Sequence, residues 1–219
     1  MKPIRVVVQG ASGKVGQVVV NALCHQTDIR VVGAIELHVS QDYLSLPDGS
    51  GTIPLSANLE SILTSCRPDV LVDFSIARAT IPAVRLATKQ GVNLVIGTTG
   101  LTDDDLSEIG QLALDHKVGA VVAPNFALGA VLMIHLAKIA SKYLDYAEII
   151  ELHHNQKVDS PSGTAFSTAK AMAAARGKPF KRPSSEQTEP PASRGEQVDG
   201  TTIHSVRLPG LVAHQEVLL

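Results

Sequence analysis

The opening stretch constrains the fold more than any other part of the chain. Ile4 to Gln9 is a short β-branched run, Gly10-Ala11-Ser12-Gly13-Lys14-Val15-Gly16 follows at once, and Gln17 to His25 reads as a helix. Strand, glycine turn and helix in that order form a G-x-x-G-x-x-G variant of the dinucleotide fingerprint. Glycine lets the backbone turn sharply and come close to a pyrophosphate, which then rests on the helix N-terminus. A tight β-α turn with no ligand would also use these glycines. The second strand, Ile29 to Ile35, favours the nucleotide because it ends at Glu36, an acid placed to accept a hydrogen bond from a ribose hydroxyl.

Strands and helices then alternate. Asn58 to Thr64 is helical, Val70 to Phe74 a buried strand, Ala79 to Gln90 a helix with Pro82 in its first turn, Asn93 to Ile96 a strand, Asp103 to His116 a helix and Gly119 to Ala123 a strand. Such alternation predicts a parallel, doubly wound sheet. Its strands finish in Gln9-Gly10, Glu36, Asp73-Phe74-Ser75, Gly97-Thr98-Thr99-Gly100 and Pro124-Asn125-Phe126. In a parallel sheet these ends share the edge where ligands bind. Asp42 to Thr52, with Pro47 and two glycines, reads as a surface loop.

Near Pro124 the pattern changes. Ala127 to Leu144 is a long helix with Leu128, Val131, Leu132, Leu136 and Ile139 at core spacing, and His135 within it is structural. A strand from Ala147 and a helix from Phe166 to Arg176 follow, then a Pro-, Ser- and Glu-rich excursion over Lys178 to Gly200. Thr201 to Leu208, a Pro209-Gly210 turn and Leu211 to Leu219 read as a hairpin. The expected architecture is α/β: a Rossmann-like doubly wound parallel sheet over residues 1–124, then an α+β domain with a mixed sheet over 125–219.

The second half carries the densest chemistry, in Glu151 to Ala165, E-L-H-H-N-Q-K-V-D-S-P-S-G-T-A. Ile149, Ile150 and Leu152 lead in like a buried strand, and a helix begins near Ser162-Gly163-Thr164. Free N–H groups at a helix start attract a carboxylate or phosphate, Lys157 adds a full charge, and His153 and His154 can move protons near neutral pH. Neighbouring histidines on a strand point to opposite faces and chelate poorly, so no metal is expected. A bare capped loop is the alternative for this stretch.

Composition excludes other classes. A formal net charge of −2 with no basic block argues against nucleic-acid binding, and 3% aromatic residues leave few stacking platforms. No apolar run is long enough to span a bilayer, no signal peptide is expected, and the isolated Cys24 and Cys66 point to the cytoplasm.

With these motifs assembled, the chain resembles the 4-hydroxy-tetrahydrodipicolinate reductase (dihydrodipicolinate reductase) family of the diaminopimelate route to lysine. G-A-S-G-K-V-G, V-D-F-S, V-I-G-T-T-G, A-P-N-F-A-L-G and above all E-L-H-H-N-Q-K-V-D-S-P-S-G-T-A carry the resemblance; L-P-G-L-V-A-H-Q-E-V is similar to the cyanobacterial and plant-plastid branch. The resemblance implies hydride transfer from NADPH or NADH to a cyclic imine dicarboxylate, with loss of water from the 4-hydroxy substrate. It implies His153 as proton donor/acceptor and Lys157 as proton donor near a substrate carboxylate. His154, Gly163 and Thr164 are then substrate-binding. Gly10, Ala11, Ser12, Gly13, Lys14, Val15, Glu36, Gly97, Thr98, Thr99, Pro124, Asn125, Phe126 and Ala127 are cofactor-binding. Leu37 stands where relatives often have an Arg for a 2′-phosphate, and Lys14 or His38 could substitute. The family is typically a homotetramer built through the second domain's sheet, and its members continue beyond the position of Leu219, so the chain reads as C-terminally incomplete. A truncated, non-catalytic nucleotide-binding protein and another two-domain dehydrogenase, related to aspartate or homoserine dehydrogenase, are the alternatives.

Overall fold

The computed structural model describes residues 2–181 and 194–219, so part of the expected Lys178–Gly200 excursion, 182–193, lies outside the described residues. The chain divides into two compact units, Met1–Ala123 and Pro124–Leu219.

In the first unit the elements run β1 (Ile4–Gln9), α1 (Lys14–Cys24), β2 (Ile29–Ile35), β3 (Tyr43–Ser45), β4 (Thr52–Ser56), α2 (Leu59–Cys66), β5 (Val70–Asp73), α3 (Ala77–Lys89), β6 (Asn93–Ile96), α4 (Asp103–His116) and β7 (Ala120–Val122). They build one sheet ordered β3-β4-β2-β1-β5-β6-β7, parallel except where β3 runs against β4. Strand alternation sends Val7, Leu71, Leu94 and Ile96 to one face, where they pack with Ile62, Val84 and Ile109 of α2, α3 and α4. Val6, Val8, Val31 and Val72 go to the other face, with Val20 of α1. Helices therefore cover both faces, as the alternation predicts.

Local chemistry sets the helix boundaries. Asn58 caps α2 by accepting from the Ser61 N–H, and Thr102 and Asp105 form a reciprocal box at the start of α4, whose first turn carries Asp103, Asp104 and Asp105. Two expectations need correction here. Asp42–Thr52 is not simply a loop: β3 and β4 extend the sheet, with Leu44 opposite Ile53, because a three-residue strand with only a half-buried Leu44 beside a strand that buries just Ile53 and Leu55 leaves little periodicity to read. Helix α3 begins at Ala77, which puts Pro82 in its second turn.

The second unit contains α5 (Leu128–Ala140), β8 (Glu148–His153), α6 (Gly163–Arg176), β9 (Glu196–Val198), β10 (Thr201–Arg207) and β11 (Ala213–Leu218). Its mixed sheet is ordered β11-β8-β10-β9. Ile149 and Ile203 pack under Ala165 and Ala169 of α6, and Ala137 of α5 meets Ala147, Met172 and Phe180. The expected hairpin of β10 with β11 is wrong. β8 lies between them, parallel to β10 and antiparallel to β11. The hairpin is β9–β10, turned at Asp199 (φ 48°) and Gly200 (φ 85°), an Asp-Gly pair suited to a two-residue turn. The core assignment on α5 also fails: Leu128 is 82% exposed, Val131, Leu132, Leu136 and Ile139 are exposed too, and only Ala137 is buried. A helix apolar nearly all round gives spacing no face to select.

Candidate active site

In the first unit, the ends of β1 and β2 open on a cavity of about 660 Å³ lined by Gly10, Gly13, Glu36, Phe74, Ser75 and Arg78, among others. Helix α1 starts here at Gly13 with no side-chain cap and no acidic residue in its first turn, so its N–H groups and dipole are left for an anion. Gly16 lets α1 lie against the turn; a Cβ there would come within 1.9 Å of the Gly10 carbonyl oxygen. Glu36 sits past the end of β2 and accepts from the Ser12 N–H at 2.5 Å. A glycine turn, an uncapped helix start and an acid at the next strand end are the parts from which a dinucleotide site is built.

The same edge is stiffened from beneath. Asp73 is buried and accepts from the Ser75 N–H at 2.9 Å, the Ser75 hydroxyl at 2.6 Å and the Thr80 hydroxyl at 2.6 Å. Thr98 Oγ1 accepts a second bond from the Ser75 N–H at 3.0 Å. Thr98 is thus a buried tie between two strand ends, whereas Thr99 is exposed. Neither they nor Gly97 line the cavity. Arg78, which does, carried no signal in the sequence because it sits inside a helix rather than at a strand end.

In the second unit, β8 delivers the histidines. Glu151 and His153, two residues apart, share a strand face, and the Glu151 carboxylate meets His153 Nδ1 at 2.5 Å. Glu151 is fully buried, 0% exposed. Arg207, at the end of β10 and in register with His153, holds both Glu151 oxygens, at 2.8 and 2.7 Å. The Ser162 N–H donates to Glu151 at 3.2 Å. Burial pushes the Glu151 carboxyl up, but hydrogen bonds from Arg207, Ser205 and His153 and the charge of Arg207 outweigh it, and the group is held at about 2. His154 has its Nδ1 buried without a hydrogen-bond partner among the described residues.

The loop from His154 leads to α6, capped by the Ser162 hydroxyl on the Ala165 N–H and without an acidic first turn. Gly163 and Thr164 stand at this helix start, where an anion is favoured. Asn125 donates to Thr164 Oγ1 at 3.3 Å and accepts from the Ala127 N–H at 2.8 Å, which joins two expected groups of site residues within this unit. Pro124, Phe126 and Ala127 lie beside Asn125 ahead of α5. Lys157 Nζ contacts Asp159 Oδ1 at 2.6 Å. Burial acts to raise the Asp159 carboxyl, and the Lys157 hydrogen bond and charge bring it below its usual range. Glu151, Asp159 and Arg207 were given no role from sequence. Strand alternation links Glu151 to His153, but Arg207 joins them only through a register set by the fold. Among the described residues there is no group of three or more His, Cys, Asp or Glu suited to a metal, and no helix is long and apolar enough to cross a membrane.

Comparison with known proteins matches residues 4–126 to the family described as dihydrodipicolinate reductase, N-terminus, and residues 129–219 to dihydrodipicolinate reductase, C-terminus. A 4-hydroxy-tetrahydrodipicolinate reductase of Dehalococcoides mccartyi (strain ATCC BAA-2266 / KCTC 15142 / 195) is 55% identical over 218 residues, spanning 100% of this chain and 82% of that protein. The Moorella thermoacetica protein of the same name is 48% identical over 218 residues, 98% of this chain and 81% of its own. Among solved structures, dipicolinate-bound dihydrodipicolinate reductase from Paenisporosarcina sp. TG-14 superposes with a TM-score of 0.77 at 39% identity, covering 99% of this chain and 83% of that one. A myo-inositol 2-dehydrogenase from Lactobacillus plantarum, 12% identical with a TM-score of 0.59 over 81% of this chain and 57% of that one, shares the fold alone.

Proposed function

The chain belongs to the dihydrodipicolinate reductase family, and from that premise we infer that it is an NAD(P)H-dependent oxidoreductase that reduces 4-hydroxy-tetrahydrodipicolinate to tetrahydrodipicolinate in lysine biosynthesis. The observation that carries this reading is the grouping of His153, Lys157 and the N-terminus of α6 within one short stretch of the second unit. A doubly anionic substrate that must take up a proton asks for those three things.

Residues 1–124 are read as the nucleotide-binding domain and 125–219 as the substrate-binding and oligomerisation domain. Bound NADPH or NADH supplies the hydride. Gly10 to Val15 receive the pyrophosphate, Glu36 the ribose, and Gly97 to Thr99 with Pro124 to Ala127 complete the cofactor positions. His154, Gly163 and Thr164 hold the substrate, with the N–H groups of the α6 start and the Thr164 hydroxyl directed to a carboxylate. His153 gives and takes the proton, and Lys157 draws in the second carboxylate and stabilises charge near the ring nitrogen. The substrate is a small dicarboxylate; a cytoplasmic location, no nucleic-acid partner and a homotetramer complete the reading, the last tested by light scattering on the eluted protein.

The deciding experiment follows NADPH and NADH consumption by the purified chain with substrate formed from pyruvate and aspartate semialdehyde. Substrate-dependent oxidation is expected. A folded, nucleotide-binding chain that oxidises neither would turn the assignment toward a non-catalytic nucleotide-binding protein. Glu36→Ala is expected to weaken NADH about tenfold or more, since hydrogen bonds to a charged group contribute roughly 1.5–3 kcal/mol, and to weaken NADPH less, because a 2′-phosphate does not gain from a carboxylate. Fluorescence titration with both nucleotides reads it, and equal losses for the two would remove Glu36 from the ribose.

A further inference from the structure

Glu151 is buried among donors from His153, Ser162, Ser205 and Arg207, and the roles assigned above leave it unused. We propose that Glu151 and Arg207 are positioning residues that hold His153 as the Nδ1–H tautomer and so turn its Nε2 to the substrate; this rests on the assignment of His153 to proton transfer.

A carboxylate accepts and cannot donate, so the 2.5 Å contact requires the proton on His153 Nδ1. Nε2 makes no hydrogen bond among the described residues, and the side chain keeps 16% of its surface exposed. The geometry gives the carboxylate no freedom to turn away. One oxygen accepts from His153 Nδ1 and Arg207 Nη1, the other from Arg207 Nη2 and the Ser162 N–H. A bidentate guanidinium fixes the plane of its partner, and that plane fixes the imidazole. Arg207 reaches further. Its Nη2 also donates to the Asp159 carbonyl at 2.7 Å, and Asp159 holds Lys157 through its side chain. One guanidinium therefore ties the strand bearing His153 to the loop bearing Lys157. Supporting partners of this kind set tautomer and ring orientation in many sites.

Glu151→Gln makes the test sharp. An amide nitrogen at the oxygen shared by Arg207 Nη2 and Ser162 N–H would face two donors. At the oxygen shared by His153 and Arg207 Nη1 it faces one donor and a ring nitrogen that can accept. The amide therefore points at His153 and reverses its tautomer. The experiment records long-range ¹H–¹⁵N spectra of the full chain labelled at histidine, with His153 assigned by loss of its signals in His153→Gln, alongside steady-state kinetics. The expected wild-type spectrum has neutral His153 protonated on Nδ1. Glu151→Gln is expected to move that proton to Nε2 and to lower kcat about a hundredfold, with substrate KM within about threefold. A wild-type His153 protonated on Nε2 overturns the proposal whether or not the variant folds. So does a Glu151→Gln chain with the native tautomer, or with native kcat. Native turnover in His153→Gln is a different failure, since it removes the histidine from the reaction altogether.

Discussion

Replacing Lys157 with alanine is expected to lower kcat by about 10²–10³, the loss seen when one donor to a developing charge is removed, while NADPH affinity stays within about twofold. The Lys157 side chain is only 22% exposed, and Asp159 holds its ammonium at 2.6 Å. It therefore waits in place instead of sweeping through solvent, and an incoming carboxylate meets an oriented charge. Alanine removes the charge and its orientation together. The residues proposed for the pyrophosphate and the ribose belong to the first unit, so nucleotide binding has no reason to follow. Single-turnover reduction and fluorescence titration separate the two effects, and unchanged turnover would sink the role given to Lys157.

Arg207→Leu is expected to destabilise the fold by about 3–5 kcal/mol at pH 7, because it strands a buried carboxylate. The effect should shrink in acid. Glu151 is held at about 2 in the folded protein against an ordinary value of 4.5, so its native partners contribute stability that is complete above about pH 4.5 and is lost as pH falls toward 2. Without Arg207, burial favours the protonated acid, which the folded variant takes up more readily than the wild type. The gap between the two chains thus narrows as pH drops through that window. Urea unfolding at pH 7 and pH 3.5 measures it; a gap that is constant or wider at pH 3.5 would show that Arg207 stabilises through packing and not through Glu151.

Much of this was legible in the sequence where the signal is local. The glycine turn after β1, the acid after β2 and the alternation of strands with helices follow from spacing alone, and they lead to the cavity at the ends of β1 and β2. The His153 to Thr164 stretch is also contiguous, so its chemistry could be read without a fold. What escaped depends on who pairs with whom. Pro209-Gly210 looks like a hairpin turn, yet the chain crosses β8 there, while Asp199-Gly200 makes the hairpin inside a stretch that composition marks as irregular. The apolar residues of α5 repeat at helical spacing, but on a helix with no polar face that spacing cannot say which side is covered. Arg207 reaches Glu151 across 56 positions, a distance at which periodicity carries no information.

That separation has a consequence in time. His153 lies on β8, flanked in the sheet by β10 and β11, both of which are translated after it. A chain emerging from the ribosome, where domains form from the N-terminus onward, can complete the glycine-turn unit while the histidine already made has neither neighbour. Only when Arg207 arrives does the buried carboxylate find its counter-charge and the imidazole its orientation. Nascent chains arrested before Arg207 are then expected to carry His153 without its orienting partners, and catalytic competence to be acquired late, once β10 and then β11 have joined β8.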